Sequence, residues 1–367
     1  MNRTAMSTSL LVVSALIVAA CGGGDDEGAP TSTSTTDATT TTEASTTTST
    51  TVAETEAPVV VPTSVPDVLR MPLTGDPIAD ESEIPDRPAL VVKISNAPQS
   101  VLPQAGLNQA DIVFEEVIND SATRLAAVFH SEDADPVGPI RSGRFQDINL
   151  LLSLNRPLFA WSGGNRAVTR AIQDSELIDL SAQGTPGYYR RGGRTSPNDL
   201  YSSTDALWSQ TPDDAEQPTA VFSYLREGEE VIGAPANEIE VKLDSVRAQW
   251  VYDAESDGYY RRQNGSEHNT ETSTGVERVW VRNVVVMMAD YGRNSFDGNP
   301  DAQVMGSNPV YVFTGGTVRP GIWLRFAPED PFSFFDNPDD LNPIALSPGR
   351  TWVEIPRNVE DVLAWAE

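Results

Sequence analysis

The only cysteine of this 367-residue chain, Cys21, directly follows an apolar run. That run, residues 10–18, is too short to span a bilayer, so residues 1–20 are predicted to be a signal peptide that is removed. The tetrapeptide at residues 18–21, VAAC, is typical of a lipobox, which places a lipid-carrying cysteine at the mature N-terminus. Because the chain has no second cysteine, its fold must depend on core burial without disulfides.

A lipid on Cys21 determines where the protein resides. A diacylglycerol together with a further acyl chain such as palmitate holds a protein stably on a bilayer, whereas one chain binds marginally. Residues 21–66 comprise the lipidated cysteine and a Thr/Ser-rich stretch with scattered acids. They have almost no apolar side chains before Val59 and cannot bury a core. We therefore predict a disordered linker with a reach of about 35–40 Å. The protein is expected on the cell membrane, facing the extracytoplasmic side.

The formal net charge of the chain is −28, and Lys93 and Lys242 are its only lysines. Such an acidic surface repels phosphate backbones, so nucleic acid is excluded as a partner. The chain has only two histidines, and its one cysteine is expected to be acylated. We therefore predict no metal site, and nothing in the sequence points to a cofactor.

The remainder of the chain is predicted to have an α+β fold in two domains. Residues 67–212 are expected to form an N-terminal α/β-type domain with a mixed sheet. Residues 213–367 are expected to form a C-terminal β-rich domain, by default an antiparallel sheet or barrel. The boundary is placed in the polar, proline-flanked stretch 210–218.

Hydrophobic periodicity predicts the individual elements. The first domain has helices at residues 143–154 and 165–174 and strands at 89–94, 111–118, 124–130 and 157–161, of which the second and third form a hairpin. The second domain has strands at 219–225, 238–243, 249–253, 258–262, 278–288, 310–313, 321–326 and 351–355.

The motif GPIRSGR at residues 138–144 leads directly into the first predicted helix. Ser142 is a natural N-cap, and free backbone N–H groups at a helix start attract anions. Arg141 and Arg144 are three residues apart, so both guanidinium groups can reach one anion there, a carboxylate or a phosphate. The alternative is that the arginines pair with acidic neighbours, namely Glu115, Glu116 or Asp147.

Two further loops repeat this chemistry. The loop at residues 161–166, WSGGNR, links a strand to a helix and could face the same cleft, or it is only a tight turn. The loop at residues 188–201 is rich in arginine, glycine and aromatic residues, and it is either a rim that binds a sugar or peptide or a loop held by internal salt bridges. The predicted ligand-binding residues are Arg141, Ser142, Arg144, Asn165, Arg166, Tyr189 and Arg190.

Carboxylates are the best catalytic candidates in the chain. Glu115 and Glu116 are neighbours on a predicted strand and so point to opposite faces, which leaves at most one of them in a cleft with Arg141. Asp199 is a further candidate. Paired acids could cleave wall glycan, which would make the protein a peptidoglycan-active hydrolase or lyase. The alternative is that these acids form salt bridges with nearby arginines.

GPIRSGR, together with PGRTW at residues 348–352, resembles the YerB-like bacterial lipoproteins, a family of unknown function with an N-terminal part and a distinct C-terminal part. The likeness extends over residues 70–357 and includes the strand at 90–96. It implies a two-part extracytoplasmic lipoprotein with a link to the cell envelope. The family pattern has histidines at two positions where this chain has Trp161 and Asn198, which argues against histidine-based chemistry here.

The leading functional hypothesis is binding of an anionic or polar envelope component such as peptidoglycan. The second is the wall-cleaving enzyme described above. The third is a non-catalytic lipoprotein that docks a membrane-protein partner.

Overall fold

Strands from both halves of the sequence hydrogen-bond side by side in one mixed sheet. The computed structural model describes residues 68–295 and 297–366, so the predicted signal peptide, Cys21 and most of the linker lie outside the described residues. Within these residues the molecule is mainly β, with short helices. The domain boundary at residue 212 stays a prediction, because the central sheet draws on strands from both sides of it.

Regular elements in the first half are short and closely spaced. The strands are β1 (Leu90–Ser95), β2 (Gln104–Ala105), β3 (Ile112–Val117), β4 (Thr123–Phe129), β5 (Leu158–Trp161), β6 (Ile178–Ser181), β7 (Tyr189–Arg190) and β8 (Leu200–Tyr201). The helices are α1 (Gln146–Leu151), α2 (Arg166–Gln173) and α3 (Thr204–Trp208). Single 3₁₀ turns lie at Glu81–Glu83, Gln99–Val101, Leu107–Gln109, Asn119–Ser121 and Leu152–Leu154, and one more lies in the second half at Val359–Asp361.

The second half consists of strands. They are β9 (Ala234–Pro235), β10 (Glu238–Leu243), β11 (Val246–Asp253), β12 (Gly258–Gln263), β13 (Ser266–Glu267), β14 (Asn269–Thr272), β15 (Gly275–Arg278), β16 (Trp280–Val281), β17 (Asn283–Met287), β18 (Asp290–Arg293), β19 (Pro300–Gln303), β20 (Gly306–Thr314), β21 (Thr317–Arg325), β22 (Ser333–Phe335), β23 (Thr351–Ile355) and β24 (Val362–Trp365).

The central sheet has the order β22-β21-β20-β17-β23-β3-β4-β1-β5-β6 in the described residues, with β9 added beside β21. The predicted hairpin is confirmed, because β3 and β4 pair antiparallel with Glu116 opposite Arg124. β1 pairs antiparallel with β4 and parallel with β5, so the predicted mixed sheet is also confirmed. β23 joins the two halves by pairing parallel to both β3 and β17.

Each face of the central sheet packs against a different layer, and both faces are apolar, as a sheet covered on both sides requires. Helices α1 and α2 cover one face, where Leu151 and Ile172 meet Phe114. A second sheet covers the other face, with the order β13-β12-β11-β10-β24 and with β16 beside β12. Trp250 and Tyr259 of this second sheet enter the core that contains Val92.

Three sequence predictions differ from the structure. Residues 219–225 do not form a strand, although Val221 and Phe222 are buried. Residues 278–288 do not form one strand: they include the last residue of β15 and all of β16 and β17, which belong to three different sheets. The first helix begins at Gln146, with Phe145 in the N-cap position, so Ser142 does not cap it.

None of the helices in the described residues has the length and apolar character needed to cross a bilayer.

Candidate functional site

The loops at residues 138–144 and 161–166 lie side by side at one end of β1 and β5. The Arg141 N–H donates to the Lys93 carbonyl of β1 at 2.8 Å, and the Ser162 N–H donates to the Arg141 carbonyl at 2.9 Å. A Cβ added to Gly163, which has φ +89°, would lie 3.1 Å from the Ser142 hydroxyl oxygen. The glycine therefore permits the close approach of the two loops that the sequence suggested.

Three arginines meet at this end of the sheet, and we refer to Arg124, Arg141 and Arg144 as the arginine cluster. Within residues 68–295 and 297–366, the half-buried Arg141 guanidinium forms no hydrogen bond or ion pair, and its Nε is buried without a partner. Arg124 donates to the Ser142 carbonyl at 2.8 Å, and Arg144 donates to Asn119 Oδ1 at 2.8 Å.

Mutual repulsion characterises the arginine cluster. Burial, together with the positive charges of Arg144 and Arg141, lowers the pKa of Arg124 to about 9. Burial and the charge of Arg144 also lower the pKa of Arg141. An anion placed among the three guanidinium groups would oppose these shifts, because opposite charge favours the protonated form of arginine.

The backbone at the start of α1 is already occupied. Asp147 Oδ2 accepts from the Arg144 N–H at 2.6 Å. α1 itself has only six residues. Any ligand at this site would therefore contact arginine side chains and not the tip of the helix.

The second loop has the predicted local structure. Asn165 caps α2, because its Oδ1 accepts from Ala167 and Val168 N–H groups, both at 2.9 Å. Its Nδ2 donates to Asp297 at 2.6 Å, so both ends of this side chain are engaged within the protein. Arg166 is exposed on the first turn of α2.

Internal salt bridges hold the aromatic and arginine-rich loop at residues 188–201. Arg190 pairs with Asp199, and both Arg191 and Arg194 pair with Glu271 of β14. Tyr189 remains 43% exposed and packs at a tilt against Tyr201. The loop therefore forms internal salt bridges, which was the alternative to a ligand-binding rim. Two of these salt bridges link it to β14.

Glu115 and Glu116 point to opposite faces of β3, as predicted. Glu116 lies on the helix-covered face, where it forms a fully buried ion pair with Lys93, which also contacts Asp147 Oδ1 at 2.5 Å. Glu115 lies on the other face and accepts from Arg261 of β12 at 2.5 Å, again fully buried. Both carboxylates form internal salt bridges, which was the alternative to a catalytic role.

The pH dependence of folding is expected to reflect Glu116. Burial and the nearby Asp147 carboxylate raise the pKa of Glu116 from 4.5 to about 7, against the opposing effect of Lys93. The folded protein therefore binds this proton more tightly than the unfolded chain, so its contribution to stability is complete below pH 4.5 and is lost as pH rises through about 7. In Glu116→Gln, urea unfolding should lose this part of the pH dependence. If the free energy of unfolding changes with pH equally in Glu116→Gln and in the wild type, the assignment to Glu116 is contradicted.

Several polar residues of this region carried no clear sequence signal. Lys93 lies in the apolar strand LVVKIS and Arg261 in the strand GYYRRQ, and both are fully buried. Only the rarity of lysine in the chain distinguishes Lys93. Arg124 could have been found from the register of the hairpin, which places it opposite Glu116. Among the described residues, no three His, Cys, Asp or Glu side chains are grouped closely enough to hold a metal ion.

Comparison with known proteins places the whole architecture in one family. The domain described as "Protein of unknown function (DUF3048) N-terminal domain" matches residues 73–217, and its C-terminal counterpart matches residues 239–353. A Bacillus subtilis (strain 168) protein named "Putative lipoprotein YerB" is 25% identical over 313 residues, which are 80% of this chain and 88% of that protein.

The crystal structure of the YerB protein from Bacillus subtilis has the same fold, with a TM-score of 0.70 at 20% sequence identity. The match covers 81% of this chain and 99% of that chain. The resemblance seen in the sequence motifs is therefore confirmed, and the chain belongs to the DUF3048 family of proteins of unknown function.

Proposed function

We propose that this protein is a lipid-anchored extracytoplasmic protein that binds an anionic component of the cell envelope through the arginine cluster. The observation that carries this proposal is the Arg141 guanidinium, which has no hydrogen bond or ion pair to any described residue although its Nε is buried. A buried donor without a partner costs about 1–3 kcal/mol. A ligand that supplies an acceptor would recover that cost.

The proposed location rests on the N-terminal sequence and on the name of a relative. Residues 18–21 have the lipobox pattern, and the Bacillus subtilis relative is named as a lipoprotein. An acylated Cys21 would hold the folded part at the end of a long Thr/Ser-rich linker, within reach of envelope polymers.

The electrostatics support an anionic ligand at this site. The chain as a whole has a net charge of −28, yet burial together with the charges of Arg144 and Arg141 lowers the pKa of Arg124. Because guanidinium groups bind carboxylate and phosphate oxygens through charge-assisted hydrogen bonds, an anionic wall polymer or peptide carboxylate fits this position. The exposed Arg166 lies on the adjoining loop.

Replacing Arg141 tests the proposal. In sedimentation assays with purified cell-wall fragments, Arg141→Gln should weaken binding by about tenfold or more, the equivalent of one hydrogen bond to a charged group. Arg170→Gln is the matched control, because Arg170 lies on the exposed face of α2 beyond the loop. Binding by Arg141→Gln that equals the wild type, with an unchanged circular dichroism spectrum, would refute the proposal.

A further inference from the structure

The PGRTW motif at residues 348–352 lies outside the arginine cluster and contributes to a cleft of its own. The cleft has a volume of about 420 Å³ and lies between the turn at residues 348–350, the turn after β4 and the strands β15 and β16. This volume falls in the range of about 300–1,000 Å³ that is typical of small-molecule sites. The residues that line it come from both halves of the chain.

The backbone of the motif is fixed by tight packing. Gly349 has φ +131°, and a Cβ added there would lie 2.7 Å from Arg282 Cβ. Its N–H donates to the Thr74 carbonyl at 2.7 Å, and the Arg350 carbonyl accepts from the Arg282 and Asn283 N–H groups. Only glycine suits this position, and the turn presents Arg350 to the cleft in one orientation.

Arg350 is a cation that packs against an aromatic ring. Its guanidinium carbon lies 4.3 Å from the centroid of the Trp280 ring. Across the part of the chain that the structure describes, no carboxylate lies within 4.0 Å of its nitrogens and no hydrogen bond from them is formed. Arg282, the other arginine of the cleft, is neutralised by Asp257 at 2.6 Å. Arg350 is therefore the positive group that the cleft offers to a ligand.

Carboxylates line the same cleft at a greater distance from Arg350. Asp76, Glu132 and Glu277 all line it and all are exposed. Glu277 accepts from Asn108 at 3.2 Å, whereas the side chains of Asp76 and Glu132 have no hydrogen bond or ion pair to any described residue. The cleft thus combines one available guanidinium group with two available carboxylates.

We propose that this cleft binds an α-amino acid or a short peptide through both of its charged termini. Arg350 receives the ligand carboxylate in a two-pronged contact, and Glu132 and Asp76 receive the ammonium group. A ligand with a carboxylate alone would meet repulsion from the surrounding acids. A ligand with an ammonium group alone would leave the guanidinium without a partner, so a zwitterion fits the site better than either simple ion.

Calorimetric titration of the protein with alanyl-alanine, as the L,L and the D,D dipeptide, tests the proposal. Acetate and ethylamine serve as singly charged probes, and both should bind at least about tenfold more weakly than the dipeptides. Titration with free alanine shows whether the cleft binds single amino acids or requires a peptide. Wild-type protein that binds neither alanine nor a dipeptide at millimolar concentration would overturn the proposal.

Two variants assign the contacts. Arg350→Gln should weaken dipeptide binding by about 10- to 100-fold, as expected for loss of a hydrogen-bonded charge. Glu132→Gln should weaken it by a few-fold, as expected for an exposed ion pair, and it keeps the test decisive if Arg350→Gln does not fold. Arg170→Gln, on α2, should bind as the wild type does. Unchanged binding in both cleft variants, or acetate that binds as tightly as the dipeptides, would refute the site.

Discussion

Replacing Arg261 with leucine is expected to lower the free energy of unfolding by about 3–5 kcal/mol, because the substitution leaves a buried carboxylate without its partner. Arg261 and Glu115 are both fully buried, and their contact of 2.5 Å joins the two stacked sheets. Arg261 also donates to Gln263 at 2.7 Å and contacts His268 Nδ1 at 2.6 Å. Urea unfolding followed by tryptophan fluorescence measures the change.

The protonation states around Arg261 explain why its charge is needed. Burial and the adjacent Glu115 raise the pKa of Glu354 well above its ordinary value, which opposes a second negative charge beside Glu115. Burial and the charge of Arg261 lower the pKa of His268 well below its ordinary value, which opposes a second positive charge beside Arg261. Arg261 forms the close ion pair of this network with Glu115 and also lies 3.8 Å from a Glu354 carboxyl oxygen, so its loss removes the cation that faces both acids.

The neighbouring residue provides a control for this prediction. Arg262 follows on the same strand, is exposed, and donates only to the Gly265 carbonyl among the described residues, so Arg262→Leu should change stability by less than about 0.5 kcal/mol. The double variant Arg261→Leu with Glu115→Gln removes both charges and should be more stable than Arg261→Leu alone. A double variant that is no more stable than the single one would contradict the charge argument.

Local signals in the sequence were sufficient for the elements that depend on nearby residues. Short apolar runs predicted β1, β3 and β4, and the strand, glycine and helix-start pattern at residues 161–166 predicted the position of α2. In each case the cause lies within a few residues of the chain: a continuous apolar run in a strand that is buried on both faces, and an Asn165 oxygen that accepts from free N–H groups at a helix start.

Partner choice between distant strands could not be predicted in this way. The pattern of β23 indicates a buried strand, but nothing in it specifies β3 as a parallel neighbour.

The start of α1 at the candidate site could not be predicted from local signals either. Asp147 Oδ2 accepts from the Arg144 N–H, and a Cβ on Gly143 would lie 2.6 Å from Ile172 Cδ1 of α2. Gly143 therefore serves the packing of loop against helix, and the helix begins later than its sequence suggests.

Replacing Lys93 with methionine should have an effect of similar size on the opposite face of the sheet. Lys93 forms ion pairs with both Glu116 and Asp147, and all three side chains are fully buried. Loss of the ammonium group leaves two carboxylates in one apolar site, so we expect a loss of about 3–5 kcal/mol at neutral pH. The loss should be smaller in acid, because a proton on Glu116 then removes one of the two charges.

The only other lysine of the chain is the matched control. Lys242 lies on β10 with its side chain exposed, so Lys242→Met should change the free energy of unfolding by less than about 0.5 kcal/mol. Urea midpoints of both variants at neutral pH and near pH 4.5, the ordinary pKa of a glutamate, separate the charge effect from lost packing. Lys93→Met could lose the same free energy of unfolding, relative to the wild type, at both pH values. That result would mean that the methylene chain of Lys93, and not its ammonium group, stabilises this face. A deficit that shrinks in acid, together with partial recovery in the double variant Lys93→Met with Glu116→Gln, would show that the ammonium group is needed because two acids are buried beside it.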